Sequence, residues 1–291
     1  MSNMTVKLIW AIGYILLAPF IGGLLDGLDR KIAARMQRRV GPPVLQPFYD
    51  VKKLLNKQTI AVSKSQQFLL ISYMAIMILS GSMFFGGTDM MMTFFVMSTA
   101  ATFLYFAGVI TNSPYSTIGS SRELIQEMAY EPAVLFTAVG FYLATGTFNV
   151  SMVSNAKYSA IMYLPGIFIA FLFILNIKMR KSPFDTATSH HPHQELIKGI
   201  TSEMGSKNLA LFQITEWYET VFMLGVIGLF IVNKNPWSYL AAVAVILLSY
   251  FLEILIDNSS ARMKWQKMLK LAWGVTLIAA GANVIVLMLH K

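Results

Sequence analysis

The sequence contains no cysteine, only four histidines, and a charged fraction of just 13% over 291 residues. The first absence excludes a four-cysteine iron–sulfur cluster held by this chain alone, since such clusters are bound through thiolates. The second disfavours a haem clamped by two histidines. His190, His191 and His193 crowd within four positions, and the remaining one, His290, is expected on the opposite side of a membrane. Electron chemistry, if the chain takes part in any, therefore belongs to a partner. The third shortage excludes an ordinary soluble domain, in which about a quarter of residues are charged.

What fills the chain instead is apolar: 56% hydrophobic residues, with a mean hydropathy of +0.59. A helix needs about 20 mostly apolar residues to cross the hydrocarbon core, where each backbone group must be satisfied within the segment. Eight such runs can be drawn, roughly at residues 7–28, 67–86, 91–112, 129–147, 159–178, 214–232, 237–256 and 270–289. The expected fold is thus an all-α polytopic membrane protein of about eight transmembrane helices, forming one membrane domain over residues 1–291. The fourth run is the weakest, opening with Glu131 and Pro132. The first is long for a signal peptide, and no small-x-small cleavage site precedes Asp26, so it counts as a helix.

Nineteen of the 23 basic residues fall in the loops after the odd-numbered helices; Lys7, Lys157, Lys234 and Lys291 fall on the other side. Cytoplasmic loops carry the excess of Lys and Arg, which puts both termini outside, in a cell membrane with the long loops in the cytoplasm. The net charge of +9 is then a topology signal, and no nucleic-acid partner is expected.

Two cytoplasmic loops, about 28–66 and 179–213, are longer than a connection requires, as functional loops tend to be. In the first, Gly41, Pro42 and Pro43 break the chain, and beyond them Val44, Phe48, Val51 and Leu55 recur at helical spacing. Pro47 suits a first turn, where its missing N–H costs nothing. An amphipathic surface helix is expected here, lying on the bilayer with its basic groups near headgroups, as an anchor or a platform for a partner subunit.

Acidic residues gather at the inner ends of the helices. Glu123, Glu127 and Glu131 are spaced i, i+4, i+8 on one helical face, where like charges repel. Glu216 and Glu219 fall one turn apart, a few ångströms into the sixth run, and Glu253 and Asp257 repeat the pattern in the seventh. Charged groups inside a membrane helix face a polar cavity or a partner by default. The bland alternatives are headgroup contact for Glu216 and Glu219, and an end-of-helix ion pair with Arg262 or Lys264 for Glu253 and Asp257. Grouped together, the acids describe one polar route that serves proton or sodium movement equally.

The stretch SPFDTATSHHPHQE holds three histidines beside Asp185 and Glu195. Zinc ligands usually recur at fixed offsets on regular structure. Pro192 disfavours helix at His191, so the rings splay and no metal site is expected. A docking surface or structural turn fits better, with proton exchange at neutral pH as the other reading.

Three stretches, LDRKIAARMQRRVGPPVLQPFYDVKKLLNK, RELIQEMAYEP and SPFDTATSHHPHQELIKGITSEMGSKNLALFQITEW, resemble subunit 1 of respiratory complex I and its relatives in membrane-bound [NiFe] hydrogenases. Quinone-reducing members have a longer, glycine-bearing spacer between GP and LQP and a glutamate-rich run after PFD. Here only Pro43 and Val44 separate Pro42 from Leu45, and SHHPHQE replaces the acidic run, which is most similar to the Ech-type hydrogenase branch.

The resemblance implies a coupling and anchoring subunit of a ferredoxin-linked, hydrogen-evolving complex. That complex has its [NiFe] centre and iron–sulfur clusters in hydrogenase large and small subunits and an iron–sulfur subunit, beside antiporter-like membrane subunits. Asp185, Glu195, Glu203 and Glu216 match the family's loop and helix acids, and Glu131 its fourth-helix acid. With Glu219, Glu253 and Asp257 they form the expected ion-coupling set. Arg30, Arg39 and Asp50 match its first-loop motif and, with His190, His191 and His193, are expected to have docking or structural roles. The alternative within the family is the quinone-site subunit of a complex I-type NADH dehydrogenase; sulfur-reducing or formate-coupled members need only different soluble partners. A free-standing secondary transporter is disfavoured, because no internal repeat with matching broken helices is visible.

Overall fold

The computed structural model describes residues 3–58, 63–188 and 196–289, and these form helices joined by short loops. In chain order the helices are α1 (Asn3–Met36), α2 (Gln46–Asn56), α3 (Lys64–Phe85), α4 (Met90–Val109), α5 (Pro114–Thr145), α6 (Val150–Ser154), α7 (Pro165–Lys178), α8 (Ser206–Ile231), α9 (Trp237–Ser259), α10 (Trp265–Val275) and α11 (Ala282–Leu289). A π-helical turn, Thr276–Gly281, joins α10 to α11 in one continuous rod.

Among the described residues, six helices are long and apolar enough to cross a membrane: α1, α3, α4, α8, α9 and the α10–α11 rod. The protein is a multi-pass, all-helical membrane protein. The two remaining expected spans depart in opposite ways. α5 begins well before the expected start, at Pro114, and its 32 residues include the acidic face, so its composition is too polar to register as a span. α7 is apolar but has only 14 residues, about 21 Å of helix, because the chain expected to begin it forms a 3₁₀ turn at Ala160–Met162. α1 likewise runs 34 residues and absorbs the front of what the sequence suggested as a loop.

α8 is the central helix: 72% of its most apolar window is buried inside the protein, against 22–44% for the other five candidates. α1, α2, α3 and α9 pack around it. Small residues on α1 permit close approach: a β-carbon at Gly22 would stand 2.6 Å from the Trp217 carbonyl oxygen, and one at Gly27 would collide with the Val44 carbonyl.

Two prolines lie inside helices, Pro19 in α1 and Pro132 in α5. Each lacks the N–H that would bond the carbonyl four residues back, which in lipid has no water to turn to. Side chains from neighbouring helices supply the donors. The Tyr218 hydroxyl donates to the Ile15 carbonyl at 2.8 Å, and the Trp273 indole donates to the Met128 carbonyl at 3.2 Å.

α2 forms where the pattern placed it, with Pro47 in its first turn. Its apolar face does not meet lipid as expected. Val51, Phe48 and Leu54 pack on Ala210, Ile214 and Trp217 of α8, since that bare stripe of α8 offers the nearer apolar partner. Leu55, expected on the same stripe, is exposed.

Candidate functional site

At the end of the bundle shared by α2, the end of α7 and the start of α8 lies a cavity of about 1220 Å³. Its walls mix Asp26, Asp29 and Arg30 of α1, Asp50 and Lys53 of α2, Glu216 and Glu219 of α8, and Tyr250 and Asp257 of α9. Three cations in four positions, Lys178, Arg180 and Lys181, complete it from the chain that leaves α7. That chain turns sharply at Arg180, whose backbone is left-handed with φ of 52°. The conformation costs a non-glycine residue about 1–2 kcal/mol.

Arg180 is the hub of the first wall. Its Nε lies 3.1 Å from each oxygen of Glu123 and its Nη2 2.5 Å from Oε1, while Nη1 donates to Glu216 at 3.2 Å and Glu219 at 3.3 Å. Burial alone would push the guanidinium towards losing its proton; Glu123, followed by Glu219, more than reverses this and holds its pKa well above the usual value. Lys178 Nζ pairs with Glu219 Oε1 at 2.6 Å and donates to the Tyr130 hydroxyl at 2.6 Å. The Tyr73 hydroxyl reaches Glu219 Oε2 at 3.2 Å. Glu127 sits within electrostatic reach of Lys178 and Glu123, so four carboxyls share two cations in a largely dry wall.

The opposite wall is built on Lys181, which pairs with Asp29 at 3.0 Å and lies 4.6 Å from the centre of the Tyr250 ring. Asp257 accepts the Ser182 backbone N–H at 2.9 Å. Glu253, one turn deeper, is fully buried, and neither carboxyl oxygen has a hydrogen-bond partner among the described residues. The sequence-based alternative of an end-of-helix ion pair does not form there: Arg262 pairs with Asp185 instead, at 3.1 Å.

The mouth is closed on one side by α2. Arg30 bridges Asp26 at 3.1 Å and Asp50 at 2.7 Å, and Gln46 donates to Asp50 at 3.0 Å. Burial would raise the Asp50 pKa, but the hydrogen bonds from Gln46 and Arg30 outweigh it and hold the carboxyl below its usual range.

Of the expected coupling residues, Asp185, Glu216, Glu219 and Asp257 line the cavity and Glu253 stands behind it. Two do not join them. Glu203 is exposed and bonds Ser113 at 3.0 Å, and Glu131 is half-buried without a hydrogen bond or ion pair among the described residues. Their positions carry them away from the Arg180 cluster: Glu203 lies in the turn before α8, and Glu131 is a turn beyond Glu127, towards the middle of α5. Arg30 and Asp50 form the mouth, whereas Arg39 is exposed and bonds Gln37. Glu195, His190, His191 and His193 lie outside the described residues, and among those described no cluster of acidic or histidine side chains is arranged to hold a metal ion.

Sequence reasoning missed Lys178, Arg180, Lys181, Tyr73 and Tyr130 as site residues. The signal was present: KMRK directly follows an apolar run, where the excess of membrane acids needs counter-charges. The same four letters also satisfy the rule for cytoplasmic loops, which hides their second role. Chemically, carboxyls joined through tyrosine hydroxyls and ammonium groups can pass protons or exchange a small cation with the cavity.

Comparison with known proteins agrees with this architecture. A family model described as NADH dehydrogenase matches residues 9–288. Hydrogenase-4 component C of Escherichia coli strain K12 is 26% identical, with 93% of each chain covered. Formate hydrogenlyase subunit 4 of the same organism is 27% identical, covering 87% of this chain and 90% of the relative. An NADH-quinone oxidoreductase subunit of Aquifex aeolicus is 25% identical over 93% of this chain and 92% of its own. A chain in the structure of the membrane-bound sulfane sulfur reductase, an archaeal respiratory membrane complex, superposes with a TM-score of 0.82 at 23% identity, covering 97% of this chain and 99% of that one, and so shares the fold. This chain belongs to the NADH dehydrogenase subunit 1 family.

Proposed function

We propose that this chain is the membrane-embedded coupling and anchoring subunit of a ferredoxin-linked, hydrogen-evolving [NiFe] hydrogenase complex that drives proton or sodium translocation. The observation that carries the reading is the cavity wall in which Arg180 and Lys178 hold Glu123 of α5 together with Glu216 and Glu219 near the middle of α8. A chain with ionisable groups inside the bundle and no cysteine suits ion transfer, with electron transfer left to partners. Relatives in hydrogenase-4 and formate hydrogenlyase support the hydrogenase branch, as does the short spacer between Pro42 and Leu45.

In this reading the [NiFe] centre and iron–sulfur clusters reside in soluble subunits docked on the cytoplasmic loops. The chain's own residues supply the ion path to antiporter-like neighbours. Arg180 fixes the carboxyls, Tyr73 and Lys178 link Glu219 to its surroundings, and α2 covers the mouth.

The test is the complex purified through a tag on this chain. Nickel together with hydrogen evolution from reduced ferredoxin supports the assignment. In proteoliposomes, Glu216→Gln and Glu219→Gln are expected to leave hydrogen evolution measurable while ion uptake falls about a hundredfold, the lower end of what a positioned proton-transfer group contributes. Unchanged uptake in both variants refutes the ion path. The cavity volume and the relatives in NADH-quinone oxidoreductases favour one second reading, a quinone-site subunit. Quinone-linked oxidation without nickel in the same preparation selects it.

A further inference from the structure

A second cavity, of about 420 Å³, opens at the other end of the bundle, where α5 ends and the chain passes through α6 to the start of α7. It is lined by Thr145 at the end of α5 and Thr147 just after it, by Met152 of α6, and by Lys157, Tyr158 and Tyr163. Among the described residues Lys157 is its only charged lining residue and is exposed, with Nζ poised 5.3 Å from the centre of the Tyr158 ring. No acid among them lines it. The backbone of a second basic residue runs alongside, since the Lys234 N–H donates to the carbonyl of Ala156, the residue before Lys157. These are two of only four basic residues expected on this side of the membrane.

Depth is the independent clue. The 14 residues of α7 reach about 21 Å, roughly 9 Å less than a hydrocarbon core. With its Lys178 end at the large cavity, the Pro165 end therefore stops short of the far headgroups, and the cavity beside it opens at the level of the gap left beneath them. The surroundings suit that level. Met152, Tyr158, Met162 and Tyr163 are all exposed, and tyrosine is enriched at membrane interfaces, with its apolar ring in lipid and its hydroxyl in water. A water-soluble ligand would leave these apolar side chains uncovered, whereas a lipid covers them with its chains while its phosphate meets the lysine.

We propose that this cavity seats the headgroup of a phospholipid from the surrounding leaflet, with Lys157 holding its phosphate and the Met152 and Tyr163 side chains flanking its acyl chains. The site would fill the membrane over the short helix α7 and shield the end of α5.

The test is native mass spectrometry of the tagged complex after exchange into nanodiscs of phosphatidylglycerol and phosphatidylethanolamine and gentle release. At least one phospholipid is expected to stay bound to this chain, and Lys157→Gln is expected to lower its retention about fivefold, the effect of one lysine near a lipid phosphate. Lys7→Gln, a basic residue distant from the cavity lining, should leave retention unchanged. Millimolar inorganic phosphate should not displace the lipid. Retention equal in the two variants overturns the proposal, and displacement by free phosphate overturns it in favour of a soluble anion. Size-exclusion profiles of the variants check that assembly is intact, which the exposure of Lys157 makes the expected result.

Discussion

Replacing Arg180 by glutamine removes the cation that holds Glu123 through contacts of 2.5, 3.1 and 3.1 Å. Glu219 keeps Lys178 at 2.6 Å and Tyr73 at 3.2 Å, and Glu216, which also loses Arg180, is partly open to the cavity, so the loss concentrates on the buried Glu123. At a charge separation of about 4 Å and an effective dielectric constant near 20, the lost attraction is about 4 kcal/mol. Breaking one side of a buried ion pair costs about 3–5 kcal/mol in practice, because the remaining charge is stranded. Glu123→Gln alone strands less, since Arg180 retains Glu216 and Glu219. The double variant Arg180→Gln/Glu123→Gln should therefore be more stable than Arg180→Gln alone, with a coupling energy of about 2–3 kcal/mol. Unfolding in mixed micelles at increasing detergent denaturant, followed by tryptophan fluorescence, measures all four corners of the cycle. Additivity of the two substitutions to within about 0.5 kcal/mol would refute the pairing.

Two further outcomes follow from the packing. Trp273→Phe leaves the Met128 carbonyl, freed by Pro132, without its donor, at a cost of about 1–3 kcal/mol. Pro132→Ala restores the backbone N–H, so the same tryptophan substitution in that background should cost much less; an equal loss in both backgrounds counts against the compensation. At the cavity mouth, the depressed pKa of Asp50 means that its bonds to Arg30 and Gln46 stabilise the docked α2 fully above the unfolded carboxylate pKa of about 4, and that this contribution fades as pH falls through the lower, folded value. Hydrogen exchange of the α2 amides should accelerate over that acid range in the native chain and show no such step in Asp50→Asn.

The amino-acid sequence by itself determined the class of fold, because an apolar run long enough to cross a bilayer has few alternatives to a helix. It also determined α2, whose spacing and Pro47 admit little else, and it singled out the acids of α8 and α9 that line the cavity. The extent of α5 was hidden, since the acidic turns before Pro132, though they share one helical face, are too polar to count as part of a span when lipid is the assumed surroundings, yet Ser116, Gly119 and Glu123 are buried within the protein. The same assumption sent α2 to the bilayer surface, when Trp217 and Ala210 offered it a partner within the protein. Long-range partnership was decided by the tertiary structure alone. Glu123, Lys178, Arg180 and Glu219 come from three separate stretches of chain, and only the turn at Arg180 brings cation and acids into one wall. Spacing on a single helix reveals which side chains share a face; which charges neutralise each other depends on how the faces of different helices meet.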